Sequence, residues 1–179
     1  GVGAYDIDLL ADSPSTYDDE GNGVGNYCTW NPLQKHSDIT LTQGNLALQS
    51  SNSGWKYTKP TLGMKTGKWY CEIGPYLYNN SNNHCQPGIS PINDSVTTTL
   101  SSTSGHTMYH YGGTKYINGS NSAFGTAWSS TGSTSVIGIA FDADTRKVWY
   151  SLDGVWQASG NPSAGSNEDG NADFGYHKW

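Results

Sequence analysis

The sequence predicts an all-β fold, an antiparallel β-sandwich, from three observations. Short segments in which apolar and polar residues alternate recur along the chain, as they do in half-buried strands. Turn-forming residues interrupt these segments about every eight to twelve positions, a spacing that favours sandwiches and barrels. No segment keeps an apolar period of 3.6 residues over about three turns, so no long helix is predicted.

The composition favours a folded, weakly charged domain. The 179 residues suit one domain with a sizeable core. Only 13% of them are charged, yet 12% are aromatic, and disordered chains lack the aromatic residues needed to offset ordering entropy. The net charge of −6 and the single arginine, Arg146, argue against nucleic acids and anionic membranes, because phosphate contacts need clustered Lys and Arg. No apolar run approaches the roughly 20 residues of a membrane-spanning helix.

The first half of the chain is predicted to alternate between loops and strands. The chain starts at Gly1 without a signal-peptide pattern, so we expect a processed product or an excised domain, with residues 1–11 as a lead-in strand or arm. Residues 12–35 are rich in turn formers and are predicted to wrap the outside of a sheet. The predicted strands are 39–42 and 45–49, which form a hairpin, then one that begins at Trp55, a long one over 68–78 and its return over 84–90.

The second half is predicted to contain two hairpins. A Ser/Thr-rich connection over 91–105 leads to a strand pair over 108–117, which turns at two glycines, and residues 118–134 are predicted to be a loop. A second hairpin follows over 136–152. Its strands alternate with period two around the polar turn at 142–145. The residues predicted to face the sandwich interior are Ile137, Ile139, Phe141, Val148 and Tyr150.

Three segments of the chain resemble parts of one family. The hairpin over 137–156 resembles the central hairpin of SPRY (B30.2-like) domains of the kind common in bacteriophage structural proteins. Residues 106–119 resemble the strand and turn that precede this hairpin in the family. Further upstream, Gly67-Lys-Trp-Tyr-Cys-Glu-Ile73 is similar to the family's Gly-Lys-x-Tyr-Trp-Glu-Val strand, with Cys71 in place of the usual Trp.

The opening of the chain resembles the phage members in particular. Asp12-Ser-Pro-Ser-Thr-Tyr17, Gly25-Asn-Tyr27 and Asn31-Pro-Leu33 match their motifs in the same order, so the resemblance covers roughly residues 12–165. Asp173-Phe-Gly175 follows the loop at 161–163 sooner than it does in the family. This departure predicts a shortened or rebuilt last strand.

The resemblance implies a concanavalin-like jelly roll over residues 12–179 and a non-catalytic binding function. It implies a protein of the virion exterior, such as a tail fibre, an adhesin or a capsid decoration, that attaches to a host-surface glycan or protein. Two alternatives stay open. One is a purely structural virion component that docks on neighbouring subunits. The other is a carbohydrate-active enzyme on a jelly-roll fold. Under any of these interpretations, flanking regions could join copies into a homo-oligomer.

The carboxylates argue against the enzyme. Jelly-roll glucanases need two carboxylates that face each other across the scissile bond. The chain has three Glu residues, and none has an acidic partner four positions away in a strand: Glu20, Glu72 and Glu168. We therefore predict no catalytic residues and interpret Glu72 as a structural acid that bonds to the backbone or to Tyr hydroxyls, although pairs of Asp residues keep the alternative open.

No metal or other cofactor is predicted. His106, Met108 and His110 fall on one face of a predicted strand, but a zinc site needs three or four ligands, and only His84 or Cys85 could add one. Asp142 and Asp144 resemble the start of a calcium-binding loop. The residues that follow lack the glycine and the final glutamate that such a loop needs, so we interpret both Asp residues as turn residues. The odd number of cysteines, Cys28, Cys71 and Cys85, argues against a disulfide framework.

Aromatic residues in loops are the best candidates for ligand contact. Tyr and Trp beside small polar residues form adaptable binding surfaces, and the low charge suits a neutral glycan or a polar protein surface. Trp30 and Trp55 also lie in such surroundings. The loops around the second hairpin hold the predicted binding residues Tyr111, Tyr116, Asn118, Trp128 and Trp156.

Overall fold

The computed structural model describes residues 28–50, 54–74, 86–96, 107–128, 135–172 and 177–178. The strands within these ranges are β1 (Trp30–Lys35), β2 (Ile39–Thr42), β3 (Ala47–Ser50), β4 (Thr58–Pro60), β5 (Lys68–Ile73), β6 (Gly88–Pro91), β7 (Thr107–His110), β8 (Thr114–Ile117), β9 (Ser120–Ala123), β10 (Ile137–Asp142), β11 (Lys147–Leu152), β12 (Val155–Trp156), β13 (Gly170–Asn171) and β14 (His177–Lys178). A 3₁₀ turn, Gln157–Ser159, follows β12.

Two five-stranded antiparallel sheets form the sandwich. The first sheet has the order β12-β11-β10-β5, and β13 adds to the other end of β11. The second sheet has the order β14-β6-β7-β8-β9. Two small pairs, β1 with β4 and β2 with β3, complete the described strands. The predicted fold class, an all-β antiparallel sandwich of the jelly-roll type, is therefore confirmed.

The core lies between the inner faces of the two sheets. In the first sheet Ile139 pairs with Tyr150 and Phe141 with Val148, so these side chains share one face. All of the interior residues predicted in this hairpin are at most 1% exposed, which confirms their assignment. Tyr109 meets them from the second sheet, with its ring centroid 5.8 Å from that of Tyr150. Full burial of such side chains stabilises the fold by about 1.5–3 kcal/mol each.

The outer face of the first sheet, which points away from the core, is also partly covered. Trp149 pairs with Ala140 on the outer face, yet it is only 1% exposed. Its indole Nε1 donates to the Ser166 carbonyl at 2.9 Å, and Gly160 lies so close that a Cβ there would be 3.0 Å from Trp149 Cδ1. The segment 157–169 therefore lies over this face, and every residue of β10 is buried.

A buried aspartate joins the two sheets. Asp169, 1% exposed, accepts a hydrogen bond from the Tyr150 amide at 2.7 Å through Oδ2. Its backbone carbonyl accepts a hydrogen bond from Lys115 Nζ of β8 at 2.6 Å. Burial raises the pKa of the Asp169 carboxyl to about 7, because desolvation disfavours the charged form.

Several predicted boundaries were wrong. β9 lies inside the predicted loop 118–134, because Asn118 and Gly119 form a two-residue turn that returns the polar segment Ser120–Ala123 along β8. β1 lies inside the segment predicted to be turn-rich, and the strand predicted from Trp55 begins only at Thr58. The lead-in segment 1–11, the domain boundary at residue 12 and the motif at 173–175 lie outside the described residues.

Within the described ranges, no helix has the length and apolar character required to cross a membrane.

Candidate functional site

The turn between β7 and β8 positions the candidate site. Gly113 has a φ of +75° and its amide donates to the His110 carbonyl at 3.0 Å. A Cβ at this position would lie 2.7 Å from the Gly125 carbonyl oxygen, so only glycine allows the neighbouring loop to pack against the turn. The turn therefore fixes the direction of the two side chains that precede its glycines, His110 and Tyr111.

Four aromatic side chains form a cluster beside this turn, which we call the aromatic patch: Trp55, His110, Tyr111 and Tyr116. The His110 ring is its centre, with ring centroids 4.1 Å from Tyr111, 5.8 Å from Tyr116 and 6.0 Å from Trp55. His110 pairs with Thr114 and Met108 with Tyr116, so His110 and Tyr116 are diagonal neighbours on the outer face of the second sheet. Trp55 is 40% exposed, and the other three side chains are half-buried.

A hydrogen bond holds the His110 ring in place. The Gly112 amide donates to His110 Nδ1 at 3.1 Å. Since Nδ1 accepts this bond, the neutral ring carries its hydrogen on Nε2. The patch thus combines stacking surfaces with polar ring groups, a combination suited to recognition of a partner with polar and apolar parts.

The loop over 124–128 links this turn to the first sheet. The amides of Phe124 and Trp128 donate to the carbonyls of Gly113 and Tyr111, at 2.9 and 3.0 Å. On its other side, the Thr126 amide donates to Gln157 Oε1 at 2.9 Å, and the Tyr109 hydroxyl donates to the Thr126 carbonyl. The loops that follow β7, β9 and β12 therefore meet at one end of the sandwich.

The comparisons with known proteins support this architecture. No protein-family model and no curated protein matches the chain. Among solved structures, the chain is similar to the SPRY domain of human HERC1, with a TM-score of 0.60 over 83% of this chain and 86% of that one. The chain has a SPRY-like fold. The two sequences are 18% identical, so the likeness concerns the fold.

The SPRY-like fold brings together two of the five predicted binding residues, Tyr111 and Tyr116, in the aromatic patch. Asn118 lies at the opposite end of β8, in the exposed turn to β9, where its φ of +49° suits an asparagine that precedes glycine. The turn geometry alone accounts for the residue type at this position.

Trp128 was predicted to offer a stacking face, and the structure corrects this placement. Its side chain is 4% exposed and belongs to the core. The ring lies edge-on to Tyr109, with centroids 4.5 Å apart. The loop that carries Trp128 is anchored on both sides, so the indole points inward and is not available to a ligand.

Trp156 lies outside the patch, on the outer face of the first sheet. Its backbone pairs with Ser151, and its ring packs edge-on to Tyr70 with centroids 6.1 Å apart. Gln157, the next residue, contacts the loop 124–128, so Trp156 is close in sequence to the meeting point of the loops but belongs to a different surface.

The central position of His110 in the patch was not predicted from the sequence. Its position was considered only for metal binding, and Trp55 was treated as one loop aromatic among several. The diagonal pairing of His110 with Tyr116 across the predicted Gly112-Gly113 turn was the signal that could have identified it.

The described carboxylates have structural contacts. Glu72 Oε1 accepts the Tyr70 hydroxyl at 2.8 Å, which confirms the interpretation of Glu72 as a partner of a Tyr hydroxyl. Asp142 Oδ1 accepts the amides of Asp144 and Thr145, at 3.1 and 3.0 Å, as expected of a turn residue. Among the described residues, no group of three or more His, Cys, Asp or Glu is arranged to hold a metal, while His84, Cys85 and His106 lie outside them.

Proposed function

We propose that this chain is a non-catalytic module that binds a protein partner through the aromatic patch. The observation that carries the proposal is the cluster of four aromatic rings, three of them around His110, in which Trp55 is the most exposed. Trp and Tyr are the residues most enriched among those that dominate the energy of protein interfaces. The rings are supported by a rigid sheet and a tight turn, which keeps the ordering cost of binding low.

The contacts of the carboxylates support a binding role rather than catalysis. Glu72 and Asp142 accept hydrogen bonds from their own surroundings, and Asp169 is buried in the core. A glycosidase needs two carboxylates that face a substrate from opposite sides. These contacts favour the binding module over the enzyme.

The order of the motifs, which resembles that of phage members, supports a place on the virion exterior. In that setting the aromatic patch would face a bacterial surface protein, as part of a tail fibre, an adhesin or a capsid decoration. The alternative, a structural component, would use the same patch against a neighbouring subunit.

The test measures attachment to cells. Fluorescently labelled protein is added to a panel of bacterial strains, and binding is followed by flow cytometry. On a strain that binds, the cells are treated beforehand with proteinase K, which removes surface proteins, or with periodate, which oxidises glycans. We expect proteinase treatment to remove the binding and periodate to leave it.

Variants connect the binding to the patch. Trp55→Ala and His110→Ala should each weaken binding at least about tenfold, the effect of losing about 1.4 kcal/mol. Leu46→Ala is the matched control, because Leu46 is an exposed apolar residue, 65% exposed in the turn between β2 and β3, that is not a member of the patch. Loss of binding after periodate alone would favour a glycan over a protein. Unchanged binding by both patch variants, or binding to no strain, would contradict the proposal.

A further inference from the structure

A second exposed aromatic group lies on the outer face of the first sheet, next to a carboxylate. Tyr70 on β5 is 54% exposed. The ring of Trp156 on β12 is inclined to it by 67°. The Tyr70 hydroxyl donates to Glu72 Oε1 at 2.8 Å. We call these three residues the Tyr70 site.

The sheet holds the Tyr70 site in a fixed geometry. A Cβ at Gly138 of β10 would lie 2.7 Å from the Tyr70 hydroxyl oxygen and 3.2 Å from Cε2, so the hydroxyl end of the ring rests on the backbone of the neighbouring strand. Trp156 is placed by its backbone pairing with Ser151 of β11. Side chains fixed on regular strands lose little conformational freedom when they bind a ligand.

The chemistry of the Tyr70 site suits a cation. The faces of Tyr and Trp rings attract positive charge. Glu72 is exposed and brings a negative charge to the same group, and the net charge of the whole chain is −6. A neutral donor would gain only a hydrogen bond to the carboxylate, whereas a cationic ligand would also gain from the opposite charge and from the rings.

Among biological cations, the guanidinium group fits best. It is planar, so it stacks on an aromatic ring, and it presents parallel N–H donors to a carboxylate. An ammonium group is compact and more strongly hydrated, so it gives up more hydration for a poorer stacking contact. Glu72 keeps acceptor capacity beyond its bond with Tyr70, because a carboxylate offers about four lone-pair sites.

We propose that the Tyr70 site binds an arginine side chain presented by a protein partner. The guanidinium would stack on the Tyr70 ring beside Trp156 and donate to the Glu72 carboxylate. This site lies on a different sheet from the aromatic patch, so it is an independent contact, and its existence does not rest on the proposed function of the patch.

The test titrates the isotope-labelled protein with the capped tripeptide acetyl-Gly-Arg-Gly-amide, while NMR follows the indole N–H of Trp156. The peptide acetyl-Gly-Lys-Gly-amide is the matched probe of equal charge. We expect a saturable shift with the arginine peptide and an affinity at least about threefold weaker for the lysine peptide. Glu72→Gln keeps an oxygen that accepts the Tyr70 hydroxyl but removes the charge, and should weaken binding about three- to fivefold.

Two further variants make the outcome specific. Tyr70→Ala should weaken binding at least about fivefold, since it removes the stacking surface. Trp55→Ala, in the aromatic patch, should leave arginine binding unchanged, so a failure of either proposal can be told from a failure of the other. The absence of a saturable shift, equal affinity for both peptides, or full binding by the well-folded Glu72→Gln variant would each overturn the proposal.

Discussion

The phenolic oxygen of Tyr150 on β11 lies 3.1 Å from the hydroxyl oxygen of Thr107 on β7, and this contact joins the two sheets inside the core. Both residues are 0% exposed. Burial raises the pKa of the Tyr150 hydroxyl, so it stays protonated and able to hydrogen-bond at any physiological pH. A polar link in this position favours one alignment of the sheets over others, because a misaligned pair would leave two buried hydroxyls without partners.

Loss of one member of this pair should destabilise the protein more than loss of both. Tyr150→Phe leaves the Thr107 hydroxyl buried without its partner and should cost about 1–3 kcal/mol. The double variant Tyr150→Phe with Thr107→Val removes both polar groups and should recover part of that loss. The free energy of unfolding in urea measures each value. A double variant whose loss equals the sum of the single losses would show that the two hydroxyls do not interact.

Stability should rise as the pH falls from about 8 to about 4, because of Asp169. Its folded-state pKa is raised to about 7 from an unfolded value of 3.8, so the folded state holds a proton that the unfolded state releases. The stabilisation from this extra proton on Asp169 is complete below the unfolded-state pKa and is lost as the pH rises through about 7. Its upper limit is about 4 kcal/mol.

Asp169→Asn is the control for this prediction, since it keeps an oxygen that accepts the Tyr150 amide but does not titrate in this range. The difference in unfolding free energy between the wild-type protein and this variant should change with pH. The contributions of all other titrating groups are common to both proteins and cancel in this difference. A constant difference between pH 4 and pH 8 would contradict the raised pKa.

Trp128→Ala should unfold the protein readily, whereas Trp55→Ala should not. Trp128 is 4% exposed and packs on Tyr109, so its truncation creates a cavity and should cost about 3–5 kcal/mol. Trp55 is 40% exposed and its loss should cost less than about 1 kcal/mol. Thermal melting of the two variants separates these roles. Equal melting temperatures would mean that Trp128 does not belong to the core.

Lys59→Met should destabilise the protein although it replaces a charge with an apolar side chain. Lys59 is 1% exposed, and its ammonium group donates to the carbonyls of Pro91, Ile92 and Asp94, at 2.7, 3.3 and 2.7 Å. Lys59→Met removes these three hydrogen bonds from an ammonium group to carbonyls of half-buried residues and should cost at least about 2 kcal/mol. Lys68→Met, at an exposed position of β5, should change stability little. Urea unfolding checks both, and a neutral Lys59→Met would contradict the argument.

The fold could be predicted from sequence where one face of a strand is buried. On β10 the large apolar residues Ile137, Ile139 and Phe141 alternate with smaller or polar ones, and this pattern indicates both the strand and its inner face. The strand β9 could not be predicted from alternation, because Ser120–Ala123 are all exposed and small, so only the Asn118-Gly119 turn indicated a return.

The candidate site was harder to predict, because its members come from separate segments. Tyr111 and Tyr116 were identified from their place beside turns, but whether an aromatic side chain points outward depends on how its loop is anchored. Trp128 points inward because backbone bonds hold its loop on the β7–β8 turn, and these bonds form between segments that alternation does not relate. The ring contact of Trp55 with His110 likewise joins two segments that are far apart in the sequence.

The strand β10 has a particular dynamic consequence. It is hydrogen-bonded to β5 on one side and to β11 on the other, and every residue along it is buried. Its amide hydrogens can meet solvent only when the whole sandwich opens, so their exchange with deuterium should report the global free energy of unfolding. The strand β9 is exposed along its whole length and lies at the end of the other sheet. Its amides should exchange through local fraying, with a free energy much smaller than that of global unfolding.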